Sequence, residues 1–217
     1  MTSRNPSPRH HPDSARLLDY ATGASHPGER LVIASHLGAC PVCRRATSEA
    51  EAVGGALLAA LPPASLHPDA LALALARIER PQRPVAPTPD RPADWIDVPD
   101  AVLRAARDRR RWAAPGVWVA PVATGGGGMR AYLLGVAAGM SVPRHTHRGV
   151  EMVCVLKGAY VDRKDQHGPG DFACNDETVD HRPRITTDSD CVCLVCAEGP
   201  LVPRDWVGRL FQPLVGI

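Results

Sequence analysis

"SVPRHTHRGVEMVCVLKGAY", residues 141–160, sets two histidines one residue apart and a glutamate four residues further on, inside a run of strand-forming residues. Side chains along an extended strand alternate between its faces, so His145, His147 and Glu151 share one face as long as no bulge intervenes. Three ligand-type side chains converging there point to a metal site. Around this stretch the chain breaks into short apolar runs, "GVWVAPV" (116–122), "MRAYLLGVAA" (129–138) and "CVCLVCA" (191–197), separated by Gly, Pro and Asp. Such texture predicts an all-β domain over residues 95–217. "TGGGGM" (124–129) reads as a flexible hairpin connection, because glycines supply positive φ without steric cost. A phosphate-binding loop would need a following helix and a lysine, and neither is there.

Working back from the β region, "RPQRPVAPTPDRPAD" (80–94) carries five prolines in fifteen residues, a composition that favours extended polyproline geometry. Residues 81–94 are therefore expected to link two domains. Upstream of it, "SARLLDYATG", "GERLVIASHLG", "CPVCRRATSEAEAVGGALLAAL" and "HPDALALALARIER" place alanine and leucine at helical spacing, broken by Gly or Pro. Residues 1–80 thus read as a small all-α unit of about four short helices. The fold class is α + β in two domains.

A second cluster of ligand-type residues lies in that helical unit. His36, Cys40 and Cys43 form H-x-x-x-C-x-x-C across a helix junction, with Gly38 as the expected stop of one helix, Cys40 at the cap and Pro41 at the first position of the next. Thiols at a helix N-terminus gain from the dipole and the free N–H groups, an effect that lowers their pKa. Three ligands leave a structural zinc one short of tetrahedral closure, and "RHHPD" (9–13) offers His10 and His11. His26 and His67, beside prolines in loop-like sequence, read as surface histidines.

Composition bounds the remaining possibilities. The 217 residues carry a formal net charge of +2, without the basic excess of a dedicated nucleic-acid binder, and "RDRRR" (107–111), the one dense basic run, reads as a solvated face. No apolar run approaches the ~20 residues needed to cross a bilayer, and the N-terminus is polar where a signal peptide needs its apolar core, so a cytoplasmic location is expected. Seven cysteines spaced C-x-x-C (Cys40, Cys43) and C-x-C (Cys191, Cys193) fit metal or redox chemistry better than a disulfide framework.

The spacing Gly139, His145, His147, Glu151, Gly158 matches throughout the first motif of the cupin family, whose members are small antiparallel β-barrels holding one divalent metal. The second cupin motif is degenerate in "GPGDFACNDETVDHRP" (168–183): its histidine, His181, lies farther from the turn than usual. His181 is the expected fourth ligand, with His167 the weaker candidate. Three imidazoles and a carboxylate suit zinc, iron, manganese or nickel. A closed zinc site would be structural or sensory, whereas an open iron site could activate oxygen.

An N-terminal histidine, H-x-x-x-C-x-x-C and a helical bundle also resemble the zinc-binding anti-sigma domain, and its fusion to a cupin resembles the ChrR-type anti-sigma factors over nearly the whole chain. That resemblance implies N-terminal zinc ligands at His11, His36, Cys40 and Cys43, cupin ligands at His145, His147, Glu151 and His181 for zinc or another divalent metal, and a possible redox pair at Cys191 and Cys193. It implies a non-enzymatic partner of an ECF-type sigma factor that hides the surfaces RNA polymerase needs and lets go under oxidative stress, singlet oxygen in particular. The Pro-rich linker would let the helical unit act apart from the barrel. The alternative is a cupin metalloenzyme, a dioxygenase or isomerase, with an accessory zinc domain. A compact zinc-stapled helical unit has no obvious task in such an enzyme.

Overall fold

The computed structural model describes residues 7–80, 87–125 and 127–204. Four helices come first: α1 (Ser14–Thr22), α2 (Pro27–Ala39), α3 (Pro41–Ala59) and α4 (Ala70–Glu79). Asp13 opens α1 by accepting a hydrogen bond from the Arg16 N–H, and Gly23 closes it in the left-handed conformation. His26, expected to be a plain surface residue, is the N-cap of α2: its ring accepts from the Gly28 N–H while Glu29 reaches back to the His26 N–H.

A fifth helix, α5 (Asp100–Asp108), lies in the region expected to be all β. It buries Val102, Leu103 and Ala105 against the sheet while its arginines face outward. The dense charge of "RAARDRRR" masked this apolar stripe, which is only three residues wide. Eleven strands follow among the described residues: β1 (Arg111–Ala114), β2 (Val117–Val122), β3 (Arg130–Val136), β4 (His145–Thr146), β5 (Glu151–Lys157), β6 (Tyr160–Asp162), β7 (Asp165–His167), β8 (Phe172–Asn175), β9 (Arg184–Ile185), β10 (Cys191–Ala197) and β11 (Val202–Pro203). The glycine-rich stretch joins β2 to β3 as a hairpin, with Gly125 and Gly128 at positive φ and Gly126 outside the described residues.

All the pairings are antiparallel. One sheet has the order β1-β2-β3-β10-β5-β8, and two small sheets, β7-β6-β9 and β11-β4, cover part of one of its faces. Isolated bridges tie β9 to the chain leaving β3, at Ser141 to Arg184, and β4 to the residues just before β9, at His145 to His181. Where a barrel was expected, the described strands form an open arrangement of three sheets and their ladders do not close into a ring. The second-layer strands are two or three residues long, too short to carry a continuous ladder around the perimeter.

Both faces of the large sheet are buried. Val153, Val155, Cys191, Cys193 and Val195 point toward the small sheets with Tyr160 and Ile185. Met152, Cys154, Leu156, Leu194 and Cys196 point the other way, into a core shared with Leu17 of α1 and Val32, Ile33 and Leu37 of α2. The helical unit is therefore docked on the sheet rather than held off it by the Pro-rich segment. A proline-rich composition permits a spacer without requiring one, and each apolar side chain of α2 gains ~1.5–3 kcal/mol by finding cover. Residues 81–86 of that segment lie outside the described residues.

Candidate metal centres

The helical centre is built at the junction of α2 and α3. Gly38 does not stop α2, which continues to Ala39; the chain needs a glycine there because a Cβ would lie 2.7 Å from the Asp97 carbonyl oxygen. Cys40 then serves as C-cap of α2 and N-cap of α3, with Pro41 at the first position of α3, as the spacing predicts. The Arg44 guanidinium donates to the Leu37 carbonyl, satisfying the end of α2 and leaving the junction to the thiols.

His11, His36, Cys40 and Cys43 converge, with ligand atoms all within 4.8 Å of one another. His11 Nδ1 stands 3.4 Å from Cys40 Sγ and 3.5 Å from Cys43 Sγ. Around zinc, with bonds of ~2.0–2.3 Å, tetrahedral ligand atoms lie ~3.3–3.8 Å apart, so these edges suit that ion. His36 Nδ1 donates to the Gly170 carbonyl at 2.7 Å, which leaves Nε2 as a lone-pair nitrogen, buried and without a hydrogen-bond partner. Burial and the neighbouring Cys40 push the Cys43 thiol up to about 12, the reverse of the lowering expected from the helix end. Two thiolates cannot crowd together in a buried site without a cation, and a divalent ion is the species that would reconcile them. His10, the alternative to His11, instead stacks on His167 at 4.2 Å between centroids.

The second centre is assembled differently from the expectation of one continuous strand. His145 ends up on β4 and Glu151 at the start of β5, with a turn through Arg148–Val150 between them, in which Gly149 adopts positive φ. The fourth residue, His181, is brought in by its backbone bridge to His145, with N–H to carbonyl distances of 3.0 and 3.1 Å. All four side chains are buried and their ligand atoms form one group. His181 Nε2 lies 3.0 Å from His145 Nε2 and 3.1 Å from His147 Nε2.

The outer contacts say which nitrogens are free. His145 Nδ1 faces the Pro143 carbonyl at 2.7 Å and His181 Nδ1 faces the Asp162 carboxylate at 2.7 Å, so both rings direct an unprotonated Nε2 inward. Lone pairs facing each other at 3.0 Å repel unless a cation sits among them, and carboxylate–histidine pairs of this kind accompany metal ligands. Burial lowers His145 and His147 to about 4, which keeps them neutral and able to coordinate, and it raises Glu151 to about 7. His167, the weaker ligand candidate, is not part of the group; it is sandwiched between His10 and Tyr160. Asp162 was missed from sequence because it lies 19 residues before His181, and no local spacing announces the pair.

Cys191 and Cys193 lie on one face of β10 with their sulfurs 3.7 Å apart, and Cys196 is on the other, as strand alternation predicts. Together with His145, Glu151 and His181 they border a largely apolar cavity of about 60 Å³. The hydrogen bond with Cys191, followed by burial, pushes the Cys193 thiol well above its ordinary range.

A helical Cys/His centre docked on a sheet that carries a His/Glu centre defines a class of two-centre protein built on a cupin-like sheet. Residues 98–201 match the sequence model of the ChrR cupin-like domain family. Over 211 residues the chain is 36% identical to the anti-sigma-E factor ChrR of Cereibacter sphaeroides, covering 96% of this chain and 99% of that protein. A crystal structure of Rhodobacter sphaeroides SigE in complex with the anti-sigma ChrR superposes with a TM-score of 0.72 at 35% identity, covering 88% of this chain and 99% of the matched one. The chain belongs to the ChrR family of anti-sigma factors.

Proposed function

We propose that the protein is a cytoplasmic, zinc-dependent anti-sigma factor: its helical unit, residues 1–80, sequesters an ECF-type sigma factor, and residues 95–217, joined to it by 81–94, sense an oxidant and release it. The observation that carries this reading is the unpartnered apolar surface of α3 and α4. No residue of α4 is buried, although Leu71 and Ile78 are 72% and 73% exposed and Leu73 and Leu75 accompany them. Val53, Leu57 and Leu58 of α3 and Leu61 just beyond it are exposed as well. A ten-residue helix is marginal alone, and an apolar surface of this kind marks an interaction site. The occupant is taken from the family: a relative similar over nearly the whole chain is named an anti-sigma-E factor, and a ChrR of similar structure has been crystallised with SigE.

His11, His36, Cys40 and Cys43 would hold zinc as a closed structural site. His145, His147, Glu151 and His181 would hold zinc or another divalent cation, which would supply Lewis-acid chemistry beside the cavity. That cavity is small, about 60 Å³ against the ~150 Å³ of a cavity that holds benzene, which favours a small reactive species over an enzyme's organic substrate. Direct contact with DNA or with a membrane is not part of the proposal; no helix among the described residues is long and apolar enough to cross a bilayer. Co-expression with the sigma factors of the source organism tests it. One of them should co-purify, and the purified chain should suppress transcription dependent on that factor. A chain that retains none and leaves every such transcript unchanged would overturn the proposal.

A further inference from the structure

The segment that presents His11 does not fold against the helices alone. It runs along the turn Gly168–Phe172, more than 150 residues away in sequence, between β7 and β8. The Asp171 carboxylate accepts from the N–H groups of Arg9 at 2.6 Å and His10 at 2.9 Å through one oxygen, and from the Gly168 N–H at 2.8 Å through the other. The Phe172 N–H donates to the His10 carbonyl at 3.0 Å. Two residues before Phe172, the Gly170 carbonyl receives His36 Nδ1. Gly170 is at φ +88°, and a Cβ there would stand 2.7 Å from both Ala39 Cβ and Pro8 Cγ, so the turn is pressed directly between α2 and the N-terminal segment.

We infer that this turn of the β-rich unit is an outer-shell element of the helical unit's metal centre: Gly170 fixes the tautomer and orientation of His36, and Asp171 positions the N-terminal segment that carries His11. The inference rests on reading His11, His36, Cys40 and Cys43 as metal ligands. Two ligands of the helical centre are then supplied by the α2–α3 junction alone, and two depend on the docked sheet. By thermodynamic reciprocity, metal retention at the helical centre and docking of the two units strengthen each other, which gives an event in the β-rich unit a direct physical route to the partner-binding unit.

Asp171 is a positioning residue, so its test reads the metal. The full chain is loaded with cobalt(II), whose thiolate-to-metal absorption reports the centre with sulfur ligands and is silent for the His/Glu centre. A chelator titration then gives relative affinity. Loss of an outer-shell partner typically weakens a site by about 10–100-fold. Asp171→Ala should move the chelator midpoint of the sulfur-linked band by that amount. Asp171→Asn keeps an acceptor for Arg9 and His10, so it should lie between Asp171→Ala and the parent. An unmoved midpoint in Asp171→Ala overturns the inference, and if that variant does not fold, a parent-like midpoint in Asp171→Asn does so. Cys40→Ala with Cys43→Ala separates the two failures: if it keeps the sulfur-linked band, the ligand assignment is wrong, whereas loss of the band together with a parent-like Asp171→Ala removes the coupling alone.

Discussion

At the helical centre two thiols and two imidazoles meet where one helix ends and the next begins, with His11 exposed on the rim. At the other centre three imidazoles and a carboxylate are all buried, bordered by an apolar cavity and a pair of thiols. The first set suits a closed, soft-ligand zinc site whose contribution is folding energy. The second holds harder ligands beside a space that a small molecule can enter, which suits reactivity. Under the proposed function the contrast is a division of labour: an ion at the first centre would staple the surface that a partner covers, and one at the second would stand where a signal arrives.

The sharpest way to break this comparison is to remove the staple. Structural zinc contributes an apparent ~10–16 kcal/mol in small metal-folded units. Cys40→Ala with Cys43→Ala should therefore abolish both metal retention at the helical centre and partner binding, read by metal analysis and by co-purification with the sigma factor. The sheet-facing side of α2 should survive, because Val32 and Ile33 are held by the shared core and not by the ion. Hydrogen exchange should thus show α3 opening while α2 stays protected. Uniform protection together with full zinc content would dissolve the distinction between the centres.

A second, smaller effect is expected on the surface that the staple presents. Leu73 and Ile78 of α4 are exposed and touch no core. Changing each to Glu should leave thermal unfolding of the free protein unchanged while weakening partner binding, since each buried aliphatic side chain is worth ~1.5–3 kcal/mol at an interface, roughly ten- to hundred-fold in Kd. Calorimetric titration of the sigma factor checks it. Unaltered affinity in the double variant would move the docking surface elsewhere.

The two centres were unequally legible. H-x-x-x-C-x-x-C announced the helical centre because a helix junction places Cys40 and Cys43 by short-range geometry, and H-x-H-x-x-x-E announced the other despite the turn at Gly149 that breaks the expected strand. Gly38 was misread because a glycine required by a tertiary approach, here that of Asp97, looks identical in sequence to a helix stop. The contributions of Asp171, Gly170 and Asp162 were invisible for the same reason: each acts across 19 residues or far more, and no local period encodes such a partner. The docking of α2 on β5 and β10 escaped notice because the Pro-rich segment describes the connection and not the faces it brings together.

At the second centre the comparison predicts altered responsiveness with binding preserved. His147→Ala and Glu151→Ala should leave basal inhibition intact while cutting induction by singlet oxygen or peroxides, measured with a sigma-dependent reporter before and after oxidant. Moving a complex from 1:99 to 99:1 takes ~5.5 kcal/mol, a difference that loss of a ligand or metal joining several strands can supply. Unchanged induction in both variants would make this centre a passive one.

The smallest effect belongs to Cys191 and Cys193. Their sulfurs are 3.7 Å apart and would have to close to ~2.05 Å to form a disulfide, giving up two electrons and two protons to the oxidant. Residues two apart on a strand have Cα atoms ~6.6 Å apart, near the upper limit of disulfide geometry, so closure would bend β10. That strand lies between β3 and β5, and its other face carries Cys196 against Gly28 of α2, so a bend there would be felt at the docked helices. Against this stands the raised Cys193 thiol, which leaves little thiolate to start the reaction. Cys191→Ser with Cys193→Ser should consequently blunt induction by only a few-fold and leave metal content at both centres unchanged. A complete loss of induction in that variant, with both metals retained, would shift the sensing step from the ion to the thiols.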